Sequence, residues 1–202
     1  MTKLSDEEIE RHLIDGTNET ELRDYLGDET YEILRSEGGG ISDDPPDPTQ
    51  ELLGSGKSNK PKVYILPGIM GSKLSAKRNI LNDLVWFDPV EIRNGGVSQL
   101  KYGDEPRPII ASGTFWSVYG FMRLRLRSRG YRVEFLPFDW RHATPELGKS
   151  LYDKIDKSDE HGVVLVAHSM GGLVARQIAA LDTGRVIKRV VTLGTPNYGS
   201  YS

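Results

Sequence analysis

A serine lies among small residues in the segment 166–172, which reads V-A-H-S-M-G-G. A short β-branched apolar run, 162–166, leads into this segment and is typical of a buried parallel strand. Apolar side chains at helical spacing follow it over 172–180. A strand, a sharp turn and a helix form the context in which a G-x-S-x-G motif exposes its serine. The spacing therefore predicts that Ser169 is a nucleophile whose Oγ lies above the edge of a sheet.

The turn around this serine crowds the backbone, so the residues two before and two after it must be small. Gly171 meets this requirement, and Ala167 replaces the glycine that is usual at the first position. The same turn directs the Met170 N–H, at the start of the following helix, toward a developing oxyanion. His168 is adjacent to Ser169 and therefore points elsewhere, so we interpret it as a packing or hydrogen-bonding neighbour and not as the base. The competing interpretation is an ordinary strand-to-helix turn.

A second oxyanion donor is predicted in the loop 67–72, which reads P-G-I-M-G-S and follows the first strand. Its glycines allow the backbone to approach a bound carbonyl closely. In a site of this type the loop contributes one N–H beside the N–H of the residue after the nucleophile. By position that donor is the Ile69 N–H. A simple glycine turn at a strand end is the alternative.

Composition excludes several classes of function. The chain has 202 residues and a net charge of -3, which gives no electrostatic footprint for nucleic acid. It contains no cysteine, so neither a disulfide framework nor a thiolate metal site is available. The N-terminal residues are polar and acidic, unlike a secretory signal, and no run approaches the length of a membrane span. We expect a cytoplasmic location and no integral membrane segment.

Three regions differ in their sequence pattern. Residues 1–37 form a charged helical leader that opens with a capping box, Ser5 to Glu8. It is interpreted either as a small adaptor that recruits a protein partner or as a loosely ordered helical extension. Residues 38–61 are rich in proline, glycine, serine and charge, which is typical of a flexible linker. Residues 62–202 form the third region.

Strand and helix patterns alternate in this third region, which predicts a parallel α/β sheet covered on both faces. The predicted strands are 63–66, 131–136, 162–166 and 187–193, and the predicted helices are 117–129, 144–157 and 172–180.

Five blocks of this region, in the same order, resemble the lecithin:cholesterol acyltransferase family of α/β-hydrolases. They are 65–74, 85–89, 137–141, 166–172 and 193–200. The resemblance implies a partial α/β-hydrolase fold of about four parallel strands with flanking helices, and acyl-enzyme chemistry on lipid-type esters with neither metal nor cofactor. It implies Ser169 as the nucleophile with Ile69 and Met170 as oxyanion donors. Trp86 and Phe87 lie where this family places lid or acyl-contacting residues, although core aromatics explain them equally well.

One departure from the family pattern concerns the rest of the catalytic triad. The family's acid and histidine follow the Gly-Thr-Pro block, whereas His12, His142 and His161 all precede it. A serine without its base is a poor nucleophile. We therefore expect residues 62–202 to be the N-terminal part of a hydrolase domain, with little or no turnover by this chain alone.

The sequence is compatible with two functions of different classes. The first is a serine esterase, lipase or O-acyltransferase of lipid metabolism. The second is a non-catalytic interaction protein whose helical leader recruits a partner.

Overall fold

The computed structural model describes residues 4–39, 41, 60–77, 83–86, 100–101, 103, 107–157 and 162–199. Most of the predicted linker, together with Phe87 and His161, lies outside the described residues.

Within this described part, the chain forms six helices and seven strands. The helices are α1 (Asp6–Asp15), α2 (Glu19–Leu26), α3 (Asp28–Gly38), α4 (Trp116–Arg127), α5 (Thr144–Tyr152) and α6 (Met170–Leu181). The strands are β1 (Lys62–Leu66), β2 (Ser72–Ala76), β3 (Asp83–Trp86), β4 (Ile109–Thr114), β5 (Val133–Phe135), β6 (Val163–His168) and β7 (Ile187–Leu193).

Four of these strands form a parallel sheet in the order β5-β1-β6-β7. They are the four strands that the hydrophobic pattern predicts. Helices cover both faces of this sheet, because parallel strands joined by helical crossovers are buried on both sides. The predicted fold class, a partial α/β-hydrolase fold with N-terminal helices, is confirmed.

A second sheet, antiparallel and in the order β3-β2-β4, is absent from the sequence prediction. Every residue of β2 is buried, including Ser72, Lys73 and Ser75. A pattern rule that assigns polar residues to the surface cannot detect such a strand. The buried serines are partnered instead: the Phe138 N–H donates to Ser72 Oγ at 3.1 Å.

Side chains of β1 alternate between two hydrophobic clusters, as the period of a strand requires. Val63 and Ile65 face the cluster formed with α4 and the N-terminal helices. Tyr64 and Leu66 face the cluster formed with α5 and α6. The carboxyl ends of β1 and β6 therefore meet at one edge of the sheet, between these two layers.

The N-terminal helices pack against the sheet and α4. The capping box forms as predicted, with the Ser5 N–H donating to Glu8 Oε2 at 2.8 Å and the Glu8 N–H to Ser5 Oγ at 3.2 Å. The Asp6 carboxylate accepts the Thr114 N–H at 3.0 Å and the indole N–H of Trp116 at 3.1 Å.

A buried ion pair adds to this contact. Arg123 and Glu10 are 5 % and 3 % exposed, and the guanidinium donates to Glu10 Oε2 at 2.6 Å and 3.0 Å. Glu10 also pairs with Arg127 at 2.9 Å. The helices are thus a packed layer over one face of the sheet and not a loosely ordered extension.

Candidate active site

Ser169 occupies a sharp turn between β6 and α6. Its φ of 50° and ψ of -124° lie in a region that residues with a side chain rarely adopt. Two hydrogen bonds hold the turn: the Ser169 N–H donates to the Leu193 carbonyl at 2.9 Å, and the Gly172 N–H donates to the Ser169 carbonyl at 3.0 Å. Ser169 is half-buried at the carboxyl edge of the parallel sheet.

The glycines after Ser169 lie where no side chain fits. A Cβ on Gly171 would lie 2.3 Å from the Pro67 carbonyl oxygen, and one on Gly172 would lie 1.9 Å from Thr195 Oγ1. Ala167, two residues before the serine, is fully buried and pairs with Leu66 of β1. Small residues around the serine therefore allow the turn to approach the strands on either side.

The loop after β1 contacts this turn. A Cβ on Gly68 would lie 3.0 Å from Ser169 Cβ. The Gly71 N–H donates to the Gly68 carbonyl at 3.0 Å, and Met70 has a φ of 61°, which is typical of the third residue of a type II turn. The central residues of this turn, Ile69 and Met70, are 55 % and 48 % exposed.

Backbone groups of this loop differ in their availability to a ligand. The Gly68 N–H is already used, because it donates to the Tyr119 hydroxyl at 2.8 Å. The Met70 carbonyl accepts the indole N–H of Trp86 at 3.1 Å. Among the described residues, nothing accepts a hydrogen bond from the Ile69 N–H. Met170 is the first residue of α6, where an N–H has no intrahelical acceptor.

Tyr119 links the loop after β1 to the end of β6. Its hydroxyl lies 2.9 Å from His168 Nδ1, and the two ring centroids are 5.9 Å apart. Burial raises the pKa of the Tyr119 phenol. Tyr119 falls in the predicted helix 117–129, and nothing local in the sequence indicates contacts with residues 51 and 49 positions away.

An apolar surface borders the loop. Trp86 is half-buried, and its ring meets that of Trp140 edge-on with centroids 5.4 Å apart. The exposed side chains of Ile69 and Met70 lie on the same loop whose carbonyl holds Trp86. Phe87, its predicted companion, falls in the part of the chain that is not described.

No described side chain forms a hydrogen bond with Ser169 Oγ. His12 instead contacts Thr17 Oγ1 at 2.6 Å within the leader, and His142 lies 3.5 Å from Glu146 and 3.6 Å from Asp139. His168 Nδ1 contacts Tyr119, as described above. The described residues thus place Ser169 in a positive-φ turn between a strand and a helix, without a general base on its Oγ.

The motif 139–141 has a structural role in the loop after β5. Arg141 donates to both oxygens of Asp139, at 2.8 Å and 2.6 Å, and to the Leu100 carbonyl at 3.2 Å. This bidentate pair holds the loop next to Trp140.

No three His, Cys, Asp or Glu side chains in the described ranges are grouped to hold a metal ion. No helix in them combines the length and the apolar character needed to cross a membrane.

Comparisons with known proteins match part of the chain. A family model described as a PGAP1-like alpha/beta domain matches residues 147–201, which include the turn at Ser169, α6 and β7. Among solved structures, the crystal structure of the Tle4-Tli4 complex is similar, with 16% sequence identity and a TM-score of 0.46. That likeness covers 71% of this chain and 47% of the other, so the chain spans about half the length of its structural neighbour. No curated protein matches the sequence. The parallel sheet, its helices and the family match identify an α/β-hydrolase-like fold.

Proposed function

We propose that the chain carries the nucleophile half of a serine ester hydrolase or O-acyltransferase that acts on lipid-type esters. The observation that carries the proposal is the contact of two elements: Ser169, in its positive-φ turn, lies against Gly68 in the glycine-flanked loop after β1. The match of residues 147–201 to a PGAP1-like alpha/beta domain supports a hydrolase-type activity. The five sequence blocks that resemble the lecithin:cholesterol acyltransferase family support a lipid-type ester as substrate.

The proposed mechanism begins with attack of Ser169 Oγ on the ester carbonyl carbon. The carbonyl oxygen becomes an oxyanion, which accepts hydrogen bonds from the Ile69 and Met170 N–H groups at the end of β1 and the start of α6. Collapse of this intermediate breaks the carbon–oxygen bond of the ester, and the alcohol leaves with the proton that came from Oγ. Water or a second alcohol then takes the acyl group from Ser169, so hydrolysis and transfer share one acyl-enzyme.

A general base must move that proton, and the described residues place none on Ser169. The lecithin:cholesterol acyltransferase pattern puts an acid and a histidine after the Gly-Thr-Pro block. We propose that groups of this kind complete the site and that turnover by the 202-residue chain alone is low.

The acyl chain is proposed to lie on the apolar surface of Ile69, Met70 and Trp86. Ile69 and Met70 are about half exposed beside the serine turn, where a hydrocarbon chain would cover them.

The test is labelling by an alkyl fluorophosphonate in the presence of imidazole, which supplies a base. Ser169 Oγ attacks phosphorus, fluoride leaves, and imidazole takes the proton. We expect modification of the Ser169 peptide that is accelerated by imidazole, lost in Ser169→Ala and retained in Ser150→Ala, an exposed helical serine. A long-chain probe should label faster than an ethyl probe. No Ser169 modification of a folded chain would overturn the proposal and favour the interaction protein.

A further inference from the structure

We propose that Tyr119 is a positioning residue, whose single hydroxyl clamps the oxyanion loop to the nucleophile turn. This inference rests on the proposed function, because it concerns the same site. Helix α4 contributes no proposed catalytic group, but through Tyr119 it would hold the Ile69 N–H in place.

Geometry around the hydroxyl is that of a clamp. Tyr119 is 4 % exposed, and its oxygen lies 2.8 Å from the Gly68 nitrogen and 2.9 Å from His168 Nδ1. Gly68 immediately precedes Ile69, and His168 immediately precedes Ser169. One buried atom therefore joins the residues directly before a proposed donor and the proposed nucleophile.

The absence of a side chain at Gly71 allows the hydroxyl to reach this position. A Cβ there would lie 2.8 Å from the Tyr119 oxygen and 2.9 Å from Pro67 Cβ. Gly71 also closes the turn through its hydrogen bond to the Gly68 carbonyl at 3.0 Å. Gly68 thus binds the Tyr119 hydroxyl through its N–H, and Gly71 leaves the space that this hydroxyl needs.

The number of available protons determines the direction of the hydrogen bonds that Tyr119 forms with Gly68 and His168. A tyrosine hydroxyl has one proton to donate, and a backbone N–H can only donate. The Tyr119 oxygen therefore accepts from Gly68, and its own proton goes to His168 Nδ1. The opposite tautomer would leave a buried hydroxyl proton without an acceptor among the described residues, which is costly. In this arrangement Nδ1 of His168 accepts the Tyr119 proton and is therefore occupied.

Loss of the clamp frees the Gly68 N–H and the turn that follows it. The peptide that carries the Ile69 N–H then retains the hydrogen bond from Gly71 to its carbonyl but loses the restraint at the Gly68 N–H, and no side chain at Gly68 restricts its rotation. Removal of one oxyanion donor costs roughly 10²–10³ in rate, and a misoriented donor costs part of that.

Tyr119→Phe tests the clamp, since it removes the hydroxyl and keeps the ring that packs beside His168. We expect fluorophosphonate labelling of Ser169, with imidazole present, to be roughly tenfold or more slower. The matched control is Tyr152→Phe on α5, which loses a hydroxyl contact to Asp182 at 3.3 Å and should label at the wild-type rate. Urea unfolding of each variant shows that the comparison is made between folded proteins.

Nitrogen NMR of the His168 ring provides a readout that does not depend on labelling. In the unmutated chain Nδ1 should be unprotonated, and Tyr119→Phe should shift the ring toward a mixture of tautomers. A proton on Nδ1 in the unmutated chain, or equal labelling of Tyr119→Phe and the unmutated chain, would overturn the clamp. If the unmutated chain shows no Ser169-dependent labelling at all, the proposed function itself fails.

Discussion

Ser169 holds a backbone conformation that costs on the order of 1–3 kcal/mol for a residue with a side chain. The surrounding contacts stabilise it. Its N–H and carbonyl are both hydrogen-bonded, and the strand ends on either side are close enough to exclude side chains at Gly171 and Gly172. At the residue scale, the site depends as much on where side chains are missing as on the serine itself.

Gly171→Ala should destabilise the chain. Alanine improves helix propensity by about 1 kcal/mol. Against this gain, the new Cβ would lie 2.3 Å from the Pro67 carbonyl oxygen, a backbone atom of the neighbouring strand end that cannot move without displacing the oxyanion loop. Overpacking of this kind costs typically about 1–3 kcal/mol, so we expect a net loss in the free energy of unfolding measured in urea.

The control for this substitution is Gly184→Ala. A Cβ there would meet its nearest atom, Val186 Cγ2, at 3.6 Å, which is ordinary contact. This variant should unfold within about 1 kcal/mol of the unmutated chain. Equal stability of Gly171→Ala and Gly184→Ala would contradict the close approach of the turn to β1.

At the scale of elements, strands and helices with strong apolar periodicity are the ones that the sequence predicts. β1 and β6 are apolar runs beside glycine-rich turns, and their neighbours β5 and β7 follow the same rule. The pattern does not predict β2 and β4 because they bury serine, lysine and threonine. The Phe138 N–H that binds the buried Ser72 hydroxyl is distant in sequence. Ser169 is predictable from its local motif, whereas the Tyr119 contacts depend on the packing of α4 and carry no local signal.

Asp6 connects the first helix to β4 and α4 through its hydrogen bonds to Thr114 and Trp116. Because this carboxyl group is buried, the free energy of unfolding should depend on pH. Burial raises the pKa of Asp6 from 3.8 to about 6; Lys73, the Thr114 N–H and Arg123 oppose the rise, and Glu7 adds to it. The folded chain therefore binds this proton more tightly than the unfolded chain does. The contribution of Asp6 to the free energy of unfolding must fall as the pH rises from about 4 through about 6.

Asp6→Asn should remove this dependence. We expect the Asn variant to gain stability relative to the unmutated chain, by about 2–3 kcal/mol between about pH 4 and about pH 7, in urea titrations. Asp15→Asn, which changes an exposed carboxylate at the other end of the same helix, is the control and should follow the unmutated chain. Parallel pH profiles for Asp6→Asn and the unmutated chain would show that the helix is not joined through this carboxylate.

At the scale of the whole molecule, one face of the parallel sheet is covered by residues that precede it in sequence by a long segment. Ile9, Leu13, Leu22 and Leu34 share a cluster with Val63 and Ile65 of β1. Trp116 lies at the centre of this contact: it is fully buried, its indole N–H donates to Asp6, and its ring meets Phe135 edge-on at 5.4 Å. A layer that fills the core in this way should not separate from the sheet while the sheet remains folded.

The fluorescence of Trp116 can show whether the helical layer separates from the sheet. The chain has three tryptophans, and the other two, Trp86 and Trp140, border the site and can be replaced. In a Trp86→Phe, Trp140→Phe variant, the red shift of Trp116 emission should coincide with the loss of far-UV ellipticity in urea, as a two-state transition requires.

Adding Glu10→Ala leaves Arg123 buried without its partner, which costs about 3–5 kcal/mol and should move both unfolding curves together. Glu37→Ala, which breaks an exposed pair with Arg125 between α3 and α4, should move neither by more than about 1 kcal/mol. An emission change at lower urea than the loss of ellipticity would mean that the helical layer detaches first. The N-terminal helices would then be free to bind a partner through the faces that the sheet occupies in this structure.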